Sequence, residues 1–449
     1  MKIEAIPAEA TRFKETELGP LPEEWRVVRL GEVISLIRNG ITKRQNKEHL
    51  GFPVTRIETI AEGKIDPLRV GYINDISEAD MEKYKLKYGD ILFSHINSEE
   101  QIGKSALYLG EPALLLHGMN LLLIRVSPSL DFYYLHYLFQ SYRERGMFVA
   151  MAARAVGQAS INQGKMKFLP IPLPPLPEQR AIAYVLRTVQ EAKEATDRVI
   201  AALRDLKKSL MRHLFTYGPV PVDAIERVEL QETEIGPLPA HWRVVRLGEV
   251  FDIQQGKALS RKKDKGLRPR PFLRTANVFW GRLDLSNLDQ MDFSEEEEKK
   301  YALKPGDLLV CEGGDVGRTA IWEGQLKNVY YQNHLHRLRA KSQDVEPRVV
   351  MYWMQASMTL LGLYLGTSNK TTIPNLSRSR LASFAIPLPP LPEQQEIARM
   401  LQAVDARIEA EEKKKTALEA LFKTLLHHLM TAKIRLPEEF VARFAEATP

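Results

Sequence analysis

Residues 15–33 read ETELGPLPEEWRVVRLGEV and residues 232–250 read ETEIGPLPAHWRVVRLGEV, so 16 of the 19 aligned positions are identical. A second string, IPLPPLPEQ, occurs at residues 171–179 and again at residues 386–394. The two pairs are offset by 217 and 215 residues, which makes the 449-residue chain two consecutive copies of one unit. Each copy is long enough to bury a core of its own and far exceeds a solenoid repeat. The sequence predicts a duplicated protein with pseudo-twofold symmetry.

The composition is that of an ordinary globular protein with a mildly basic charge. Hydrophobic residues make up 44%, charged residues 27%, and the net charge is +6. No run approaches the roughly 20 apolar residues that span a membrane, and the start of the sequence lacks the pattern of a secretory signal. The single cysteine, Cys311, cannot support a disulfide framework. We therefore expect a cytoplasmic protein that does not associate with membranes and whose charge is compatible with nucleic acid.

Within each copy the chain changes character at the proline string. The residues before it contain short β-rich runs broken by Gly, Asn and Pro, such as residues 90–93 and 307–310. This pattern predicts a globular α+β domain in each copy. The residues after it, 178–215 and 393–430, run for 38 residues without Gly or Pro. Each of these segments is predicted to be one long helix.

Apolar or small residues recur along both segments at alternating spacings of three and four, which is a heptad pattern. They are Ile182, Val185, Val189, Ala192, Thr196, Val199, Leu203, Leu206 and Leu210 in the first segment, and Ile397, Met400, Val404, Leu418, Leu421, Leu425 and Leu429 in the second. A helix of this length extends about 57 Å, so we expect the two helices to pair with each other. The seam is assigned to Ile182, Val189, Leu203, Leu210, Ile397, Val404, Leu418 and Leu425. Its middle is weaker, because Arg407, Glu411 and Lys414 occupy seam positions.

The prolines before the helices have two interpretations. Pro177 and Pro392 suit a first helical position, and the glutamate that follows each favours the N-terminal end of the helix dipole. The alternative is that PPLP binds an aromatic groove of a signalling domain. Because both copies place the string directly before a helix, the helix-start interpretation is preferred.

A tandem pair of units that open with GPLPxxWxxxxLGEV and close with IPLPPLPEQ before a long helix resembles the DNA-specificity subunit of type I restriction-modification enzymes. The resemblance covers residues 15–433. It implies two target recognition domains, each reading half of a split, asymmetric sequence in double-stranded DNA. It also implies two long antiparallel coiled-coil helices that set the spacing and dock two methyltransferase subunits, to which restriction and translocase subunits add. Such a protein is not an enzyme and needs no cofactor; it directs adenine methylation and, in the full complex, DNA cleavage in phage defence.

These observations predict six segments. They are an N-terminal extension (1–14), a first target recognition domain (15–177), a central long helix (178–217), a second target recognition domain (218–392), a C-terminal long helix (393–433) and a tail (434–449). Outward residues of the helices, namely Arg187, Lys193, Arg198, Glu409 and Lys413, are expected to face partner subunits.

The two copies differ most where DNA reading is expected. Residues 34–165 and 251–380 are hard to align, apart from GDIL at 89–92 and GDLL at 306–309. Two domains with one scaffold and different loops should read two different half-sites. The shared strings look like scaffold instead, so Trp25 and Trp242 are assigned to the core.

Candidate DNA contacts lie in three pairs of loops that carry basic, amide and hydroxyl side chains, which bind base edges in the major groove. In the first copy they are Arg38, Asn39, Lys43, Arg44, Gln45, Asn46 and Lys47, then Ser94, His95, Asn97 and Lys104, and then Gln158, Ser160 and Asn162. In the second copy they are Gln254, Gln255, Lys257, Ser260, Arg261, Lys262 and Lys263, then Glu312 and Arg318, and then Asn369, Lys370 and Thr371. A solvated loop is the alternative for any one of them.

Other classes of function find little support in the sequence. No P-loop and no methyltransferase string such as Asn-Pro-Pro-Tyr occurs. Asp307 and Glu312 suggest a nuclease metal site, but Gly313 and Gly314 stand where its lysine is needed. His334 lacks ligand partners besides His336, so we expect no metal. A duplicated coiled-coil adaptor that assembles partners without reading DNA remains the main alternative.

Overall fold

The computed structural model describes residues 6–7, 12–46, 48–60, 63–155, 158–258, 268–363 and 375–445. The chain divides into two compact units. Unit 1 contains Met1–Ala195 and Lys414–Pro449, and unit 2 contains Thr196–Lys413. Unit 1 is therefore assembled from both ends of the sequence, whereas unit 2 is continuous.

Unit 1 is built on an antiparallel sheet of four strands. Their order is Ser105–Leu107, Ile91–Ser94, Leu121–Val126 and Ile34–Asn39. Helix Phe132–Glu144 packs against this sheet, with Phe139 and Phe93 in edge-to-face contact at 5.4 Å between ring centroids. A buried face of aromatic and branched side chains forms the main core of the unit.

Unit 2 repeats this arrangement with different sequences. Its four strands are Phe251–Gln255, Leu335–Ala340, Leu308–Cys311 and Thr319–Ile321, in that spatial order. Helix Pro347–Thr359 has 13 residues, as does its counterpart Phe132–Glu144 in unit 1. The predicted α+β duplication is confirmed.

Shorter elements complete the units. Those of unit 1 are strands Ile6–Pro7, Phe13–Lys14, Leu21–Pro22, Arg26–Arg29, Phe52–Val54, Gly71–Ile73, Ile96–Asn97, Ala153–Ala155, Gln158–Ser160, Pro170–Leu173 and Ile434–Arg435, and helices Leu30–Glu32, Ile57–Ile60, Glu78–Tyr84, Met147–Met151, Gln163–Lys167 and Glu438–Ala442. Those of unit 2 are strands Leu230–Thr233, Gly236–Pro239, Arg243–Arg246, Pro269–Leu273, Val278–Phe279, Arg282–Leu283, Asp289–Asp292, Tyr330–Tyr331 and Ala385–Leu388, and helices Val222–Arg227, Leu247–Val250, Thr275–Asn277, Glu295–Lys300 and Arg378–Ala382.

The two repeated strings meet in each unit as a pair of antiparallel strands. Arg26–Arg29 pairs with Pro170–Leu173, and Arg243–Arg246 pairs with Ala385–Leu388. The glutamate and glutamine that end the proline string then fix the junction with the long helix, and they make the same contacts in both units.

The glutamate accepts a hydrogen bond from the core tryptophan. Trp25 Nε1 donates to Glu178 Oε2 at 2.9 Å, and Trp242 Nε1 donates to Glu393 Oε2 at 2.9 Å. Trp25 is 0% exposed and Trp242 is 2% exposed, which confirms their assignment to the core. The repeated residues belong to the scaffold because they make these contacts in both units.

The glutamine ties the long helix to the start of the shorter one. Gln179 Oε1 accepts from the backbone N–H of Asp131 at 2.9 Å, and Gln394 Oε1 accepts from the backbone N–H of Glu346 at 2.8 Å. Asp131 and Glu346 are the N-cap residues of the 13-residue helices. Each glutamine thus holds two helix starts together.

The two long helices are Leu176–Tyr217, of 42 residues, and Leu391–Met430, of 40 residues. Both begin two residues before the predicted start, so the proline of each lies at the second position. Among the assigned seam residues, Ile182 and Ile397 are buried, and Val189, Leu203, Leu210, Val404, Leu418 and Leu425 are half-buried. The helices pair as predicted.

Part of the heptad pattern was wrong. Val199 and Leu206 are 41% and 51% exposed, whereas Ile200 and Lys207 are 5% and 8% exposed. Ile200 follows Thr196 by four residues, and Lys207 follows Leu203 by four, where the predicted pattern used a spacing of three. The buried stripe therefore lies one residue after Val199 and one residue after Leu206. Apolar content alone does not fix that choice, because positions 199 and 200 are both apolar.

Contacts inside unit 2 show that the helices run antiparallel. Arg204 pairs with Glu412 at 2.7 Å, and Lys207 pairs with Asp405 at 2.7 Å, so partners descend along one helix as they rise along the other. Tyr352, from the 13-residue helix, donates to Asp405 Oδ2 at 2.8 Å. The Lys207, Asp405 and Tyr352 side chains form one polar network that ties the second domain to the helix pair.

Candidate nucleic-acid interface

The described parts of the predicted loops lie at one end of the four-stranded sheet in each unit, which we call loop end 1 in unit 1 and loop end 2 in unit 2. Loop end 1 contains the ends of strands Ile34–Asn39 and Ile91–Ser94, and the backbone N–H of Ile161 donates to His95 O at 2.8 Å. Loop end 2 contains the ends of strands Phe251–Gln255 and Leu308–Cys311.

In unit 2 the described segment that follows the third predicted loop reaches loop end 2 through the same contact as in unit 1. The backbone N–H of Leu376 donates to Glu312 O at 2.8 Å. Glu312 and His95 each lie five residues after the aspartate of their GD string. Segments far apart in sequence are therefore brought together at matched places in both units.

A buried ion pair lies in each sheet at the end opposite the loop end, where the second strand begins. Asp90 receives two hydrogen bonds from Arg125, each 2.7 Å long, and is 0% exposed. Asp307 receives two from Arg339, at 2.7 and 2.6 Å, and is 1% exposed. These two-pronged pairs explain the aspartate in the GDIL and GDLL strings. Sequence reasoning recognised the strings as strands and missed their arginine partners.

The predicted contacts of unit 1 differ in exposure. Asn39, Arg44 and Asn162 are exposed, Arg38, Lys43, Gln45, Asn46, Asn97, Lys104 and Ser160 are half-buried, and Ser94 and His95 are buried. The backbone of Gln158 lies in strand Gln158–Ser160, its side chain is outside the described part of the structure, and Lys47 lies outside the described residues.

Several of these side chains also hold their own loop. Lys43 Nζ donates to Asp75 O at 3.0 Å, and Asn46 Nδ2 donates to Asn74 Oδ1 at 2.7 Å. Asn162 caps helix Gln163–Lys167 by accepting from the backbone N–H of Lys165. These contacts fix the positions of the loops that carry the exposed residues.

Loop end 1 has a cluster of three basic side chains, Arg38, His95 and His117, of which the sequence reasoning found the first two. The Arg38 guanidinium lies 5.3 Å from the Tyr84 ring centroid, and burial, with the nearby charge of Arg125, lowers the pKa of Arg38. Burial also lowers the pKa of His95 to about 4 and that of His117 to about 3. His117 was missed because it follows a leucine run with no polar pattern around it.

The predicted contacts of unit 2 are less fully described. Ser260, Arg261, Lys262, Lys263, Asn369, Lys370 and Thr371 lie outside the described residues. Gln255 is exposed, and Gln254, Lys257, Glu312 and Arg318 are half-buried. Lys257 pairs with Glu297 at 2.6 Å, and Arg318 pairs with Asp315 at 3.1 Å and donates to Thr275 O at 3.2 Å.

Gln255 and Glu312 form one polar cluster at loop end 2. Gln255 Nε2 donates to Glu312 Oε2 at 3.1 Å and to Asn333 O at 2.9 Å. His336 Nε2 lies 3.9 Å from Glu312 Oε2 but makes its hydrogen bond with Leu376 O, at 3.0 Å. Burial lowers the pKa of His336, which keeps its imidazole neutral at ordinary pH.

No metal chemistry emerges from the described ranges. Within them, no group of three or more His, Cys, Asp or Glu side chains is arranged to hold a metal ion. Burial raises the pKa of the Cys311 thiol to about 11.

Among the helices that the structure describes, none has the length and apolar character needed to cross a bilayer.

The comparison with protein families gives two matches along the chain. Residues 22–204 and 239–420 both match the model of the type I restriction modification DNA specificity domain. A protein of Methanocaldococcus jannaschii with the provisional name type I restriction enzyme MjaX specificity subunit is 38% identical over 428 residues, which are 94% of this chain and 97% of that protein. The MjaVIII specificity subunit of the same organism is 28% identical over 94% of this chain and 96% of its own length.

Two solved structures share the fold. The S subunit of a type I restriction-modification system from M. genitalium has a TM-score of 0.57 at 15% identity and covers 92% of this chain and 96% of its own. A chain from a structure describing complex assembly and conformational transition of a type I R-M system has a TM-score of 0.54 at 21% identity, covering 92% of this chain and 99% of its own.

Proposed function

Because this chain belongs to the family defined by the type I restriction modification DNA specificity domain, we propose that it reads a bipartite, asymmetric sequence in double-stranded DNA. Unit 1 supplies the reader of one half-site and unit 2 supplies the reader of the other. The chain performs no chemistry itself and directs methyltransferase and restriction subunits to the site.

The observation that carries this proposal is the contrast between scaffold and loop ends. The tryptophan, glutamate and glutamine contacts and the buried Asp–Arg pair recur in both units with nearly the same distances. The side chains at the two loop ends differ, with Asn39 and His95 in unit 1 at the places of Gln255 and Glu312 in unit 2. One scaffold that presents two surfaces suits a reader of two unlike half-sites.

Residues 15–177 and 218–392 are proposed as the two target recognition domains, and residues 178–217 and 393–433 as the spacer helices. The DNA contacts proposed are those predicted above, of which Asn39, Arg44, Asn162 and Gln255 have exposed side chains. Ser94 and His95 are buried, so contact by them requires DNA to approach the loop end closely.

Two methyltransferase subunits are the proposed partners of the helices, with restriction and translocase subunits added in the full complex. Support comes from the relatives, which are named as specificity subunits, and from the outward side chains. Arg198, Glu409 and Lys413 are exposed, and Arg187 and Lys193 are half-buried. Glu409 and Lys413 pair with each other at 2.6 Å, and both side chains are exposed.

The test is single-molecule sequencing of methylated bases in DNA from cells that carry this chain together with its candidate methyltransferase. Cells that lack only this chain serve as the control. We expect a gapped, asymmetric motif with a methylated adenine in each half, present only when the chain is present. Identical methylation in both cultures would contradict the proposal and favour an adaptor that assembles partners without reading DNA.

A further inference from the structure

Loop end 2 presents hydrogen-bond acceptors without matching donors. Both hydrogens of the Gln255 amide are committed, one to Glu312 Oε2 and one to Asn333 O. The amide oxygen of Gln255 is then the group left to face solvent, since no donor contacts it among the described residues. A glutamine held in this way offers an acceptor alone, although a free glutamine offers both a donor and an acceptor.

Glu312 adds a second acceptor beside it. Its Oε2 accepts from Gln255, and 18% of the side chain is exposed. Within the described residues, the one basic group at ion-pair distance is His336, and that imidazole already donates to Leu376 O. Among the described residues, the Glu312 carboxylate therefore has no other basic partner.

A carboxylate at a DNA interface is repelled by phosphates, so it is favourable only where it meets a donor on a base. In the major groove the donors are the exocyclic amines of cytosine and adenine. Guanine and thymine present acceptors at the same place, which a carboxylate repels. Adenine also presents its N7 acceptor beside the amine, and that atom would face the second acceptor of the pair.

We propose that Glu312 accepts the one exocyclic-amine hydrogen that a paired cytosine leaves free in the major groove of the unit 2 half-site, while the Gln255 oxygen beside it disfavours the N7 acceptor of adenine. The inference rests on the proposed function and names the base that this part of the interface selects. Loop end 1 has no carboxylate at the matched place, where His95 is buried and Asn39 is exposed. The half-site of unit 1 is therefore read by other means.

The experiment uses the whole chain with its methyltransferase partner and compares the wild type, Glu312→Gln and Glu296→Gln by sequencing methylated DNA. Glu296 is an exposed glutamate of unit 2 on helix Glu295–Lys300, so its replacement removes the same charge away from the cluster. We expect Glu312→Gln to lower the preference for cytosine roughly tenfold at one position of one half-site. The other half-site and the Glu296→Gln motif should be unchanged.

A second variant keeps the test valid if Glu312→Gln folds poorly. Gln255→Leu removes the other acceptor, and the affected position should be the same cytosine. Competition binding with duplexes that carry each of the four base pairs there should show the same loss. The proposal is overturned if the changed position is not a cytosine, if all positions weaken equally, or if no position changes. A wild-type chain that yields no gapped motif overturns the proposed function as well, which separates the two failures.

Discussion

Glu178 and Glu393 occupy the same place in the two copies but have different neighbours. Glu178 is 4% exposed and contacts Arg435 at 2.9 Å, and Arg435 also pairs with Glu24 at 2.6 Å. Glu393 pairs instead with His241 at 2.7 Å, and its side chain is 28% exposed. Burial raises the pKa of Glu178, with Arg435 and Trp25 acting in the opposite direction. The first junction therefore depends on an arginine that the second junction lacks.

We expect Glu178→Ala to destabilise unit 1 by about 3 kcal/mol, because it leaves Arg435 with one of its two carboxylates and removes the partner of Trp25. Glu23→Ala, at an exposed neighbour of the same strand pair, should change the free energy of unfolding by less than about 0.5 kcal/mol. Urea unfolding, with hydrogen exchange to separate the units, measures both. Equal effects would show that the junction contributes little.

Buried histidines make the stability of unit 1 depend on pH. His136 shares hydrogen bonds with Ser105 at 3.1 Å and with Gln140 at 2.8 Å, and burial lowers its pKa to about 4. A histidine with a lowered pKa stays neutral in the folded protein while the unfolded chain binds a proton below pH 6.5. The stability it contributes is present above pH 6.5 and is lost as the pH falls toward 4.

Replacing His136 with Gln should therefore cost stability at pH 7 and cost less at each lower pH. The difference in unfolding free energy between the wild type and His136→Gln should narrow by at most about 1.4 kcal/mol per pH unit between pH 6.5 and 4. Denaturant unfolding of both proteins at several pH values gives this difference directly. Parallel curves would contradict the assignment of a neutral imidazole.

At the scale of elements, the seam of the long helices provides a matched pair of positions. Leu203 is half-buried and Leu206 is 51% exposed, although both belong to the same apolar pattern. Leu203→Asp should destabilise the helix pair by about 2 kcal/mol or more, and Leu206→Asp should be nearly neutral. Thermal unfolding and assembly with the methyltransferase are the measurements. Equal destabilisation by both changes would support the heptad positions that the sequence alone predicted.

The polar network in unit 2 has an aromatic counterpart in unit 1. Lys207, Asp405 and Tyr352 correspond, with the offset of 215, to Phe422, Gln190 and Tyr137. In unit 1 the Tyr137 and Phe422 rings contact each other at 6.0 Å between centroids. The same three positions thus join a domain to the helices by an ion pair in one unit and by apolar contact in the other.

We expect the double variant Lys207→Phe, Asp405→Gln to fold with a stability near that of the wild type, since it installs the pair found in unit 1. Asp405→Ala alone should cost about 3 kcal/mol, because it leaves the buried ammonium of Lys207 unpaired. Urea unfolding of the wild type, the double variant and Asp405→Ala tests both statements. A double variant as unstable as the single one would mean that the network has no apolar equivalent in unit 2.

The repeated strings made the duplication, the core tryptophans and the helix lengths predictable. Identical residues at a fixed offset in the sequence are expected to make the same local contacts. The exposure of Val199 and Leu206 was not predictable, because the helix surface also offers a stripe one residue later that contains the apolar Ile200. The burial of Ser94 and His95 was hidden for another reason. It depends on strand Ile96–Asn97 pairing with Gln158–Ser160, and pairing across sixty residues leaves no local signal.

At the scale of the whole molecule, the helices are the expected determinant of the gap between half-sites. Removing one matched heptad from each helix keeps the pairing and shortens the pair by about 10.5 Å. That length corresponds to about three base pairs of duplex DNA. We expect methylome sequencing to show the same two half-sites with a gap shorter by about three base pairs. An unchanged gap would contradict the spacer role.

Unit 1 combines Met1–Ala195 with Lys414–Pro449, and its junction glutamate is paired by Arg435. During synthesis on the ribosome, the first domain therefore emerges early but lacks its final strand and half of its helix pair. Unit 2, although it lies later in the sequence, has all of its residues once position 413 has left the exit tunnel. Translation proceeds at about 5–20 residues per second, so the first domain waits tens of seconds for its last contacts. The order in which the two readers mature is thus the reverse of the order in which they are translated.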